Sequence, residues 1–341
     1  MSNYRPKNRG RIIFVTAIIT IIIFAVTLYS IQNPDVVKEI ISNNSFDTSQ
    51  DFIKFVDVGQ ADCAIIYSNG YCAVIDMGLA SRVGDIENCL DEYNVESIDV
   101  AIISHLHSDH VGGLPKIAND YKIENLIMPP LKSNSITAAK NGKDTAIKSG
   151  TQVYDAKSGM NFELGEFKIT LLSGSNNEAN ENNRSLFVMA EIDDTNFLFT
   201  GDAETKVEKQ LLNSGADIDC DILKVGHHGS DSSSSEAFLE AATPEYAVIS
   251  VGEGNMYSHP HDVTLRSLKT IGAEIYRTDE MGDITFDMTN DKIKINQEKE
   301  YNHGNLRGFC YFINFLYPLP YLTHRETRLK VAEEISVFSI T

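Results

Sequence analysis

Three histidines and an aspartate crowd into six positions, His105, His107, Asp109 and His110, followed at once by Gly112 and Gly113. Each such side chain buried without a partner would cost roughly 2–7 kcal/mol, so packing does not account for them, whereas a divalent cation supplies the partner. Val100, Ala101, Ile102 and Ile103 form an apolar run bounded by polar residues, which predicts a buried parallel strand over 99–104 that delivers the cluster at its end. Alternation along extended backbone puts His105 and His107 on one side, where they can bind one cation together. Asp109 and His110 then fall at a turn into a helix expected to begin near Gly113, facing a second cation, and the two glycines leave room for tight backbone there.

This H-x-H-x-D-H pattern with its trailing Gly-Gly resembles the signature of the metallo-β-lactamase fold. Other stretches extend the resemblance in chain order. They are Asp57-Val58-Gly59-Gln60-Ala61-Asp62, with Ala61 where the related element has a second glycine, Ile75-Asp76-Met77-Gly78 at a strand end, and Asn182-Asn183-Arg184-Ser185. Phe199-Thr200-Gly201-Asp202, Gly226-His227-His228-Gly229-Ser230 and Asn255-Met256-Tyr257-Ser258-His259-Pro260 follow. Together they are similar to the ComEC-type branch, the hydrolase part of DNA-uptake proteins, and to the catalytic domains of teichoic-acid phosphorylcholine esterases. The resemblance covers residues 51–297. It implies an α/β fold, a four-layer αββα sandwich, with zinc in two sites, or manganese, and a metal-activated hydroxide.

A lone aspartate at a strand end is what a bridging ligand requires, since each carboxylate oxygen can take one metal; Asp202 fills that role. Many relatives place a further histidine before this aspartate, but here no histidine occurs between His110 and His227. Asn183 sits where that ligand would be. The first cation is then held by His105, His107 and Asp202 with water or an amide oxygen, and full dinuclear occupancy is less secure than in relatives having the histidine. Asp109, His110, Asp202 and His228 make the second set. His228 is preferred to His227 because adjacent residues on an extended end point oppositely. Asp109, His227 and His259 are the catalytic candidates. His259 is also the rival for ligand, either His228 or His259 can protonate a leaving alkoxide, and His261 reads as a helix-start residue.

The elements that must position these groups alternate strand and helix in both halves, which fits two sheets sandwiched between helices. Short strands are expected over 52–58, 61–67 and 71–76, a helix over 83–93, a strand over 122–128 and a helix within 131–149. Strands over 151–155 and 162–172 are assigned to a second sheet. A hairpin follows around residues 193–195, then strands over 221–225 and 245–251, and a helix capped by Asp262 that runs to residue 271. Closing strands are expected over 274–277, 283–287 and 292–295.

The chain has 341 residues, 42% of them hydrophobic, enough to bury a large core. Its formal net charge of −19 argues against a sequence-independent grip on a nucleic-acid backbone, which needs arrays of Lys and Arg. A nuclease is not excluded, because bound dications add positive charge where a phosphate would sit. The five cysteines are odd in number, show no C-x-x-C pair and read as small core hydrophobes. Residues 1–11 carry Arg5, Lys7, Arg9 and Arg11 without an acid, and residues 12–31 carry no charge. That predicts a membrane-spanning signal anchor with its N-terminus in the cytoplasm and the folded domain outside. Residues 32–50 read as a polar stalk, and 298–341 as a tail of no assigned role.

The expected activity is that of an anchored phosphodiesterase acting on DNA strands or phosphate-linked envelope polymers. Hydrolysis of a carboxylic ester, lactone or β-lactam on the same site is the alternative, and a non-catalytic binding module the third reading.

Overall fold

The computed structural model describes residues 50–173, 178–289 and 293–297. The expected anchor at 12–31, its basic flank, the stalk to residue 49 and the tail at 298–341 lie outside them. Among the described residues no helix is long and apolar enough to cross a membrane.

Two mixed sheets carry the fold. The first begins as an antiparallel meander, β1 (Asp51–Phe55), β2 (Ala64–Ser68) and β3 (Tyr71–Ile75), then continues in parallel through β4 (Ser97–Ile102), β5 (Lys122–Met128) and β6 (Gln152–Asp155). The crossovers that allow parallel pairing are helices: α1 (Val83–Glu92) before β4, α2 (Ser108–Val111) and α3 (Leu114–Asp120) before β5, and α4 (Thr137–Lys148) before β6. The second sheet repeats the scheme. β7 (Asn161–Leu164), β8 (Phe167–Leu171), β9 (Val188–Ile192) and β10 (Thr195–Phe199) run antiparallel, and β11 (Ile222–Lys224), β12 (Tyr246–Ile249) and β13 (Glu274–Arg277) follow in parallel. Helices α5 (Thr205–Ser214), α6 (Glu236–Ala242) and α7 (Asp262–Thr270) make these crossovers. After the short α8 (Thr278–Met281), β14 (Ile284–Asp287) and β15 (Lys294–Gln297) return to the edge of the first sheet beside β1.

Three apolar layers follow from two sheets with helices outside. Alternate residues of the first sheet, such as Ile65, Val74 and Ala101, pack with Ile86, Leu114 and Ala146 of its helices. The opposite faces of both sheets, including Phe55, Ile66, Ile102, Phe197 and Phe286, form the central layer. Leu198, Leu223 and Ala247 face Val207, Phe238 and Leu268 of the other helices. The four-layer arrangement expected from the resemblance is therefore present. Cys63, Cys72, Cys89 and Cys220 are buried and unbridged, as expected of core residues.

Several sequence expectations are corrected. The strand at 152–155 pairs with β5 and belongs to the first sheet, because α4 gives the right crossover for one more parallel neighbour. The single strand expected over 162–172 is a hairpin, broken where Gly165 takes a left-handed φ of 58°. His261, not Asp262, is the N-cap residue of α7. The helix expected near Gly113 is α3, and Asp109 and His110, expected at a turn into it, lie in a separate short helix, α2, just before it.

Candidate metal centre

Parallel strands of both sheets end at one edge, and the polar groups collect there. Asp76 follows β3, Ser104 and His105 follow β4, and Asp202 follows β10. His227 and His228 follow β11, and Ser250 follows β12. Their side chains converge across the gap between the sheets.

Asp202, buried and held through its backbone N–H by the Ser185 hydroxyl at 3.0 Å, sits in the middle. Its Oδ2 lies 3.7 Å from His105 Nε2 and 3.7 Å from His227 Nε2. Its Oδ1 lies 3.2 Å from His110 Nε2 and 3.8 Å from His228 Nε2. His107 Nδ1 is 3.0 Å from His105 Nε2, and Asp109 Oδ2 is 3.4 Å from His228 Nε2. Two groups share Asp202, His105 with His107 and Asp202, and Asp109 with His110, Asp202 and His228, with the donor atoms of each within 4.8 Å of one another; Asp62, Asp76 and His110 form a third group. His110 Nε2, His228 Nε2 and Asp202 Oδ1 are buried and make no hydrogen bond. Buried polar atoms are ordinarily paired, and three converging lone-pair donors of this kind fit a cation.

A second layer fixes which ring nitrogen faces inward. Asp76 accepts hydrogen bonds at 2.7 Å from Ser104 N, Ser104 Oγ and His110 Nδ1, so His110 presents Nε2 to Asp202. The Ser250 carbonyl accepts from His228 Nδ1 at 2.9 Å, which leaves His228 Nε2 as its inward donor. Asp62 Oδ1 lies 3.3 Å from the same Nδ1, and Asp62 Oδ2 accepts from buried Lys224 Nζ at 2.7 Å.

His227 and His228 are not extended, as the sequence reading assumed. Both adopt left-handed backbone, with φ of 51° and 53°, in a tight turn between Gly226 and Gly229. For non-glycine residues this conformation is uncommon and clusters at functional sites. It aims the two rings apart. His228 meets Asp109 and the Oδ1 side of Asp202, whereas His227 meets the Oδ2 side and keeps Nδ1 on Ser232 Oγ at 3.1 Å. His259 stands farther out, its ring centroid 5.5 Å from that of His227 and 6.4 Å from that of His228.

The electrostatics follow from this crowding. Burial lowers His110 and His228, but Asp202 with Asp76 outweighs it for His110, which is held well above its ordinary value, and Asp202 with Asp62 pushes His228 up to about 10. Burial and the His110 imidazole push His105 well down. Against a burial that raises them, His228 and His110 hold Asp109 down to about 2, and His110 and His228 hold Asp202 well below the carboxylate range. Burial, with His227, His228 and His261, pushes His259 down to about 4.

The Asn182–Ser185 segment, expected from the resemblance to stand where relatives have a ligand histidine, acts as a buttress. Asn183 donates to Glu204 Oε2 at 2.9 Å and accepts from Glu204 N at 3.3 Å. Arg184, fully buried, pairs with Glu181 at 2.8 Å, and Glu181 Oε1 accepts from Leu106 N, between His105 and His107, at 3.3 Å. Sequence reasoning missed Asp62, Lys224, Glu181 and Arg184 as supports. A charged residue at the end of an apolar strand, as Lys224 is, was the available signal.

A two-sheet sandwich with this centre between its strand ends defines a class of metal-binding hydrolase-type folds, and the sequence profile of the metallo-beta-lactamase superfamily matches residues 56–253. The chain belongs to that superfamily. Its curated relatives include a ComE operon protein, a competence protein and a recombination protein. ComE operon protein 3 of Bacillus subtilis (strain 168) is 30% identical over 195 residues, covering 56% of this chain and 25% of that protein. Competence protein ComA of Neisseria gonorrhoeae is 28% identical over 247 residues, covering 72% and 33%. Recombination protein 2 of Haemophilus influenzae (strain ATCC 51907 / DSM 11121 / KW20 / Rd) is 29% identical over 252 residues, covering 72% and 30%. The chain thus spans a quarter to a third of the length of these relatives.

Proposed function

We propose that the chain is a metal-dependent phosphodiesterase acting on DNA strands or another phosphate-linked polymer. The observation that carries this reading is Asp202, whose two oxygens face separate imidazole groups 3.2–3.8 Å away. His105, His107 and Asp202 would hold one divalent cation, and Asp109, His110, Asp202 and His228 a second, zinc or manganese by donor type. Such ions supply an ionised water at neutral pH and offset negative charge on phosphoryl oxygens.

The chain's own groups do the rest. Asp76 and Ser250 keep the His110 and His228 rings oriented. Gln60 Nε2 lies 3.4 Å from His259 Nδ1 and donates to it, which places the ring proton on Nε2. His259, held near about 4, is neutral at pH 7 and suits hydrogen bonding to a substrate oxygen better than standing as a charged proton donor. His227, on the Oδ2 side of Asp202, is the other ring placed to hydrogen-bond a substrate oxygen, and burial lowers its affinity for a second proton as well.

Support for a phosphate substrate comes from the competence and recombination proteins among the relatives and from the ComEC-type elements of the sequence. Anchoring through residues 12–31 with the domain outside the cytoplasm is part of the proposal, supported by the charge pattern of residues 1–31. Protease shaving of intact cells tests it, and a protected domain would refute it. For the activity, purified protein loaded with Zn²⁺ or Mn²⁺ should cleave bis-p-nitrophenyl phosphate in preference to a chromogenic carboxylic ester, and Asp109→Ala should abolish cleavage. Absence of phosphodiester turnover by the loaded wild type overturns the reading, and metal binding without any hydrolysis would leave a binding module.

A further inference from the structure

A row of rings leads from the buried centre to solvent. His110 and His228 lie 5.5 Å apart between centroids, His228 and His259 6.4 Å apart at 29°, and His259 and Tyr257 5.7 Å apart at 27°. The row ends on Tyr257, which is 59% exposed although one face of its ring covers His259. Met256 beside it is 87% exposed, and Val263 is exposed at the start of α7. Three of the six exposed large apolar side chains among the described residues therefore fall within residues 256–263, and the others, Tyr71, Ile147 and Tyr154, are scattered. Scattered ones need no explanation, but a group at the mouth of a candidate active site does.

The loop presenting Tyr257 is built rather than loose. Asn255 Oδ1 accepts from Tyr257 N and His259 N, each at 3.1 Å, and Asn255 Nδ2 donates to the His259 carbonyl at 2.7 Å. His261 Nδ1 accepts from Asp231 N at 3.0 Å, and its backbone N–H donates to the Gly229 carbonyl at 2.9 Å, tying the loop to the turn that holds His228. A pinned aromatic with one free face costs little ordering when a flat ligand settles on it.

We propose that Tyr257 is a stacking platform for a nucleobase of a single-stranded nucleic acid whose phosphodiester lies over Asp202. This rests on the phosphodiesterase reading above and names its substrate class. The net charge of −19 leaves little scope for gripping a phosphate backbone with Lys and Arg, so stacking, which needs no charge, is the handle that remains. A quaternary ammonium, the other ligand that favours aromatic faces, is held by a cage of several rings. Tyr257 offers a single free face, which fits a base and not such a cation.

The test is equilibrium binding of a short fluorescent oligo(dT) strand to the metal-loaded full chain, followed by anisotropy without reliance on turnover. Tyr257→Ala should weaken binding by about 5- to 150-fold, the range expected for loss of one base–aromatic stack. Tyr257→Trp should retain it, and the dependence on salt should not change. Equal binding by Tyr257→Ala overturns the platform while leaving phosphodiester hydrolysis standing. Tyr257-dependent binding by a protein that hydrolyses nothing supports the platform and removes the catalytic reading instead. If Tyr257→Ala weakens a poly(glycerol phosphate) chain as much as the oligonucleotide, or if phosphocholine competes through Tyr257, the base is not the occupant and the proposal is wrong.

Discussion

His228 carries the sharpest pH signature of the centre. Burial opposes its charge, yet Asp202 and Asp62 push it up to about 10, whereas a histidine in an unfolded chain titrates near about 6.5. In metal-free protein the folded state therefore retains a proton that the unfolded chain has released. The stability this confers is full below about pH 6.5 and is lost as pH rises through about 10. Thermal melts of chelator-treated protein should fall between pH 7 and 10. Metal-loaded protein, with Nε2 committed to the cation, should lose less over that interval. Because the cation must displace the proton, binding at pH 7 should release protons, which titration calorimetry in two buffers of different ionisation enthalpy would reveal. Identical heats in both buffers would contradict the assignment of His228 as a ligand.

At the scale of elements, close approach between a helix and a turn sets the position of His110. Gly113 has φ −78° and ψ −18°, open to any L-residue, so its requirement is steric. A Cβ there would lie 2.1 Å from the Met77 carbonyl oxygen, and Met77 N in turn donates to the His110 carbonyl at 2.6 Å. Gly113→Ala should destabilise by about 1–3 kcal/mol through overpacking and carry α2 away from Asp202. Metal content should drop from two ions toward one, measured by elemental analysis; retention of both would show that the turn yields instead. The reason for these glycines was legible in the sequence, as were the strand before His105 and the hairpin before Asp202, because each is a local pattern. The support from Lys224 and Asp62 was not, since the two are 162 residues apart and pair only when the sheets meet. The backbone at His227 and His228 was misjudged for a related reason, although the rings do point apart: a left-handed turn is set by what Gly226 and Gly229 pack against, not by the histidines themselves. Gly226 would place a Cβ 3.0 Å from Ser233, and Gly229 one 2.5 Å from Pro260.

Across the whole molecule the centre is shared between sheets. Asp62, Asp76, His105, His107, Asp109 and His110 come with the first sheet, and Asp202, Lys224, His227 and His228 with the second. Only the Lys224–Asp62 pair at 2.7 Å crosses this junction as a buried lysine–carboxylate contact among the described residues. Removing one partner leaves a buried charge alone, at a cost of about 3–5 kcal/mol. Lys224→Met should therefore lower the melting temperature by roughly 6–20 °C, at about 2–4 °C per kcal/mol for a domain of this size. Lys224→Met combined with Asp62→Asn should recover part of that loss, since neither charge is then stranded. Cations held at the candidate sites would add a second clasp at the same junction, and free metal at a hundred times its dissociation constant would stabilise by about 2.7 kcal/mol per site. Chelation should accordingly lower the melting temperature of wild type by roughly 11–22 °C for two sites. Asp202→Asn, which weakens both sites at once, should melt at nearly the same temperature with or without chelator. A variant still strongly stabilised by metal would place the cations on one sheet alone and separate the clasp from Asp202.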